Sequence, residues 1–260
     1  MKLAKKNLDN ASELYIQAYE LFKEGKIQEV IALLDQEKLQ ASREQTKQAT
    51  AAIKKEKLLL AAREEQNQQQ IQQLIETYTL KADALALAFR YAEVAAQYRA
   101  IIGIHLENVL PNKDLAGWYD KLGQALLDNG TYPPALEAFE KALAIREEVL
   151  DATHPSLASS YNNIGRAYES LGRYEEALQY HQKAVAIREE VLDAQHPYLA
   201  NSYNNIGMTY WSMGRYEQAL AFHQKALAIR EEVLEATHPF LANSYNNIGG
   251  TLTELQQYKA

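Results

Sequence analysis

Five of the six histidines fall into two columns with a 42-residue spacing: His154, His196 and His238 in one, His181 and His223 in the other. Histidine is the commonest metal ligand and the commonest acid–base catalyst, so these columns are the first place to look for chemistry. The spacing argues against it. Side chains one repeat apart are carried apart by the repeat and do not converge on one ion. The acidic pairs Glu147-Glu148, Glu189-Glu190 and Glu231-Glu232 recur with the same period. They read as solvated helix faces and not as paired carboxylates for acid–base work. The chain has no cysteine, which removes thiolate nucleophiles, thiolate metal sites and disulfides. It contains no phosphate-binding glycine loop, GxSxG elbow or HExxH motif. The expectation is a chain with no catalytic residues, no metal and no cofactor.

The period itself is the stronger signal. His154-Pro155, His196-Pro197 and His238-Pro239 mark units of 42 residues, within the range of solenoids, where each unit buries its apolar face only against its neighbours. Tyr161, Ile164 and Tyr168 lie three and four residues apart and form one buried stripe; Tyr174, Leu178, Ala184 and Ile187 form the facing one. Gly123, Gly165, Gly207 and Gly249 sit inside helices, where glycine costs roughly 1 kcal/mol, a cost that close helix approach would justify. Ala135, Ala177 and Ala219 serve the same approach from the second helix. The His-Pro pairs are expected to break the chain between units.

Around these positions the elements follow. First helices are predicted at about 116–129, 158–171, 200–213 and 242–255, and second helices at about 133–150, 174–192 and 216–234. Pro111 to Asp114 reads as the turn into the array. Residues 77–110 read as a degenerate unit, and residues 8–34 as a weaker helix pair punctuated by Gly25. Between them, residues 35–76 lack Gly and Pro and are rich in helix formers. One long helix is predicted, with a break near Gln66–Gln70 as the alternative. It reads as a solvated helix lying along the solenoid, or as a coiled-coil contact between two copies through Ile53, Leu58, Leu60 and Ala61. The domain organisation is thus 1–76, an N-terminal helical region, and 77–260, a repeat array. The array comprises the degenerate unit, regular units 116–150, 158–192 and 200–234, and a partial unit 242–260. The last unit stops before its second helix, so the chain is expected to be a fragment or to have that end covered by another element.

The pattern Tyr161, Ile164, Gly165, Tyr168, Gly172, Tyr174, Ala177 and Ala184 resembles the tetratricopeptide repeat. The 42-residue length, with Tyr-Asn-Asn-Ile-Gly and Ala-Ile-Arg-Glu-Glu-Val-Leu, resembles the kinesin light chain subtype. The resemblance is specific over about 116–260 and weak over 8–34 and 77–110. It implies an all-α, right-handed superhelical solenoid of antiparallel helix pairs whose concave groove binds a protein or extended peptide. Groove positions carried over from the family are Asn162, Arg166 and Glu169 in one unit, Asn201, Asn204, Met208 and Trp211 in the next, and Asn243 and Asn246 in the last. The units at 155–196 and 197–238 differ at 12 of 42 positions. Three of these are groove positions: Ser159/Asn201, Arg166/Met208 and Glu169/Trp211. Asn162, Asn204 and Asn246 would form a ladder of amides able both to donate and to accept along a peptide backbone, or else serve as repeat scaffolding. Asn163, Asn205 and Asn247, one step round the helix, are expected to bond locally or to the next unit. Trp211 with Met208 is the expected apolar anchor; packing against a neighbouring unit is its alternative. Arg166 would meet an acidic group of the ligand or pair with Glu169.

Composition sets the outer limits. Residues 1–66 carry 12 basic and 11 acidic side chains, and residues 67–260 carry 15 and 23. An acidic array repels phosphate backbones, so nucleic acid is not the expected partner. The first residues carry no apolar run behind their basic side chains, so no signal peptide is expected, and no apolar run approaches the ~20 residues of a membrane helix; a cytoplasmic, membrane-free protein is expected. The leading reading is a non-enzymatic binding scaffold. The alternative is a regulatory module of a larger signalling protein, with the long N-terminal helix as its dimerising or switching element.

Overall fold

A computed structural model describes residues 13–33 and 36–259, and every regular element among them is helical. The start of the helix expected from residue 8 lies outside the described residues. The chain divides into two compact units, residues 1–71 and 72–260.

In the first unit α1 (Glu13–Lys23) and α2 (Ile27–Leu33) form a hairpin through Gly25, whose φ of 74° suits a residue without Cβ. Phe22, Ile27 and Ile31 of this pair are exposed. The long helix α3 (Gln36–Leu87) runs for 52 residues without a break at Gln66–Gln70. Its propensity is uniformly good across the glutamine run, so nothing local stops it. Ile53, Leu58, Leu59 and Leu60 are all more than half exposed.

In the second unit, the end of α3 runs on into residues 77–87, within the expected degenerate unit, and buries Ile75, Ala82 and Leu85. Then come α4 (Tyr91–Glu107), α5 (Asn112–Asp128), α6 (Tyr132–Val149), α7 (Pro155–Ser170), α8 (Tyr174–Val191), α9 (Pro197–Ser212), α10 (Tyr216–Val233) and α11 (Pro239–Lys259). From α4 onward each helix packs on the next in chain order. The result is an all-α solenoid of helix pairs, as the repeat pattern predicts.

Two helix boundaries correct the sequence reading. The prolines do not lie in breaks between units but open the first helices. His154 and His196 have extended backbones, their Nδ1 atoms accept from the N–H of Ser156 and Tyr198, and Pro155 and Pro197 take the first helical position. Proline fits there because its fixed φ is helical and its missing N–H would have had no partner. Pro111, with an extended ψ of 132°, stands one residue before α5, and residues 112–114 are helix, not turn.

The internal glycines are set by close approach. A Cβ on Gly165 would stand 2.6 Å from the ring of His181, one on Gly207 2.6 Å from His223, and one on Gly123 2.6 Å from Phe139. Gly249 has nothing within 4 Å of that position. A core of Val185, Ile206, Tyr210 and Ala219, backed by Leu178, Tyr203, Met213 and Phe222, joins α8, α9 and α10.

Candidate functional site

Met208 and Trp211 lie three residues apart on α9, so both point from one side of the helix. Asn246, Asn247 and Gly250 approach from α11, and His223 from α10. Together they enclose an open pocket of about 200 Å³. Met208 is 37% and Trp211 39% exposed, a large apolar surface left in contact with solvent. Beneath it His223 is 1% exposed, and its Nδ1 is buried without a hydrogen-bond partner. Burial, and secondarily the charge of Arg230, pushes the His223 pKa down to about 4. At neutral pH the ring is uncharged.

The preceding unit shows what has changed. There His181 Nδ1 lies 2.8 Å from Asn162 Oδ1, and its Nε2 lies 3.7 Å from Glu169 Oε2. One repeat later the glutamate position is Trp211, and the Oδ1 of Asn204 accepts from Asn247 Nδ2 at 3.0 Å. The replacement that opens the apolar pocket is the one that removes the histidine's carboxylate neighbour.

Of the sequence-predicted groove residues, the structure brings Met208, Trp211 and Asn246 together in this pocket. Of the others, Arg166, Glu169 and Asn204 bond to neighbouring units, whereas Asn162 and Asn201 bond to the second helix of their own. Arg166 does not pair with Glu169; its Nη1 donates to Gln124 of the previous unit at 2.9 Å. Glu169 accepts from Thr209 of the following unit. Asn201 accepts from Arg230 at 2.9 Å. Asn163 and Asn247 donate back to Asp120 and Asn204 of the units before them, not locally or forward. Asn243 is exposed and lies outside the pocket.

Sequence reasoning missed a column of arginines. Arg146, Arg188 and Arg230 each donate to a serine fourteen residues on, Ser160, Ser202 and Ser244, all fully buried or nearly so. Arg146 also pairs with the carboxylate of Asp120. For Arg188 and Arg230 the corresponding residues are Asn162 and Asn204, and burial lowers the pKa of both guanidiniums. The change from Asp120 to Asn162 and Asn204 was the available signal. Among the described residues, no three His, Asp or Glu side chains gather in a way that could hold a metal ion, and no helix is long and apolar enough to cross a membrane.

The tetratricopeptide repeat model matches residues 114–190, 170–232 and 198–260, more than half of the chain. The chain belongs to the tetratricopeptide repeat family. Among solved structures, it is similar to BtubC (BKLC) from P. vanneervenii, at 24% identity and a TM-score of 0.63, covering 73% of this chain and 76% of that one. A putative kinesin light chain from Podosopora anserina with nearly identical repeats aligns at 22% identity and a TM-score of 0.61, covering 71% and 88%. The apo form of RapI aligns at 19% identity and a TM-score of 0.60, covering 71% and 65%. These likenesses concern the fold, and they agree with tetratricopeptide repeats of the kinesin light chain type. No curated protein matches the chain in sequence. A tetratricopeptide array is a protein-interaction scaffold, and its partners are proteins.

Proposed function

We propose that this array binds an extended peptide segment of a partner protein and anchors one apolar side chain in the pocket of Met208, Trp211 and Asn246, without catalysing a reaction. The observation that carries this reading is the pair of half-exposed apolar side chains over a buried histidine with an unpartnered nitrogen. An apolar group entering the pocket would cover Trp211 and Met208. A neutral polar group beside it would meet Asn246, an exposed amide able to donate and accept. Arg166, Glu169 and Asn204 shape the groove through contacts between units, Asn162 and Asn201 through contacts within theirs, and Asn243 flanks it. The acidic balance of the array disfavours nucleic acid, and the absence of cysteine suits the cytoplasm.

The test is a peptide selected from a random display library against the wild-type chain, then titrated against Trp211→Ala and Met208→Ala. At least tenfold weaker binding with unchanged circular dichroism is expected. Equal affinity in both variants would remove the pocket from the reading. A second reading, a contact between two copies through α3, is favoured by the exposed Ile53, Leu58, Leu59 and Leu60. It would make α3 the dimerising or switching element of a larger regulatory protein. Sedimentation of the wild-type chain and of a Leu58→Ser, Leu60→Ser variant decides it: a dimer lost in the variant supports the contact, and a wild-type monomer excludes it.

A further inference from the structure

Three units of the array can be compared at one packed position. Tyr180 of α8 and Phe222 of α10 correspond to Ala138 of α6, 42 residues apart in each step. Tyr180 lies between Tyr161 and Tyr168, with ring centroids 6.1 and 5.4 Å away. Phe222 lies between Tyr203 and Tyr210, at 6.2 and 5.6 Å. In the unit of α5 and α6 the two flanking residues are Tyr119 and Leu126, and the ring between them is missing. An open cavity of about 240 Å³ stands there, with Tyr119, Leu122, Leu126 and Ala138 in its wall. Leu122, Leu126 and Ala138 are each less than a tenth exposed, so the cavity is cut into the core. A cavity of about 150 Å³ suffices to hold benzene.

We propose that this cavity receives an aromatic side chain, tyrosine foremost, presented by a partner protein. The chain itself supplies two worked examples of the occupant, each a ring carried to that depth on a polypeptide. The cation that accompanies the ring is retained as well. Lys183 lies 4.9 Å from the Tyr180 centroid and Lys225 5.1 Å from that of Phe222. Their counterpart Lys141 lines the empty cavity, held by Glu137 at 2.6 Å and standing 5.8 Å from the Tyr119 ring. Such a cation attracts the face of an inserted ring. The preference for tyrosine comes from Arg99 at the mouth. Its exposed guanidinium lies in the same wall as Glu137, whose carboxylate is held by Lys141, and offers a phenol oxygen a donor. No lining residue is shared with the pocket of Met208 and Trp211, so this second contact stands or falls apart from the first.

The experiment uses the full 260-residue chain, isotope-labelled for NMR, and three capped tripeptides: Gly-Tyr-Gly, Gly-Phe-Gly and Gly-Leu-Gly. The tyrosine peptide is expected to shift the amides of Leu122, Leu126, Ala138 and Lys141, and to bind at least tenfold more tightly than the leucine peptide, with phenylalanine between. Ala138→Tyr, which supplies the missing ring from within, is expected to raise Tm and abolish those shifts. Equal affinity for tyrosine and leucine peptides, or shifts elsewhere in the array, would overturn the proposal. So would p-cresol binding where the tyrosine peptide does not, since the cavity would then admit only a free small aromatic. If Ala138→Tyr fails to fold, Ala138→Phe replaces it, and the wild-type titrations decide by themselves.

Discussion

At Gly207 and Gly249 the same residue in the same place of the repeat has opposite consequences. A methyl group at 207 would press on the buried ring of His223; at 249 it meets open space. Gly207→Ala should therefore cost about 1–3 kcal/mol through overpacking, whereas Gly249→Ala should stabilise by up to about 1 kcal/mol through helix propensity alone. Urea denaturation of the two variants checks this; equal effects would contradict the packing described. His223 gives a pH test. Its pKa is depressed in the folded chain, so the unfolded chain takes up the proton first. Its contribution to stability is full above about pH 6.5 and is lost progressively as pH falls toward about 4. Phe139 occupies this position in the unit of α5 and α6. His223→Phe should accordingly fold and show a shallower loss of Tm between pH 6.5 and 4 than wild type; parallel curves would refute the assignment. Trp211→Ala should cost well under the 3–5 kcal/mol of a buried tryptophan, because the ring is already 39% exposed. A larger loss in denaturation would mean that Trp211 is core.

At the scale of the element, the first helices were legible in position but not in their starting residue. Proline following histidine looks like an interruption when read along the chain. Three dimensions turn it into the first residue of a helix capped by the histidine ring. His196→Ala removes the acceptor for the Tyr198 N–H and should cost about 0.5–2 kcal/mol, seen as a lower thermal midpoint. His196→Asn should restore most of it, since asparagine is a strong cap; no recovery would leave the cap without energetic weight. The long helix α3 was legible for a simpler reason. Fifty-two residues without proline or glycine give a helix no local cause to stop.

Across the whole array, contacts run between successive units, so damage should stay local. In Gly207→Ala, hydrogen exchange should speed up in α9 and α10 more than in α5 and α6. Uniform acceleration would show that the solenoid unfolds as one block. The sequence by itself determined the repeat, its period, the close approach at Gly123, Gly165 and Gly207 (though not at Gly249) and the family, because a solenoid writes the same packing demand at a fixed offset. It also placed Met208 and Trp211 on one side of a helix. Only the tertiary structure decided which polar residues are spent on holding units together. Asn163, Arg166, Glu169 and Asn204 find partners 40–43 residues away, and the choice among neighbours at that distance depends on geometry that no local pattern encodes. The empty place beside Ala138 was hidden for the same reason. An alanine in a helix reads as ordinary until the ring that fills its counterparts is seen to have nothing in its stead.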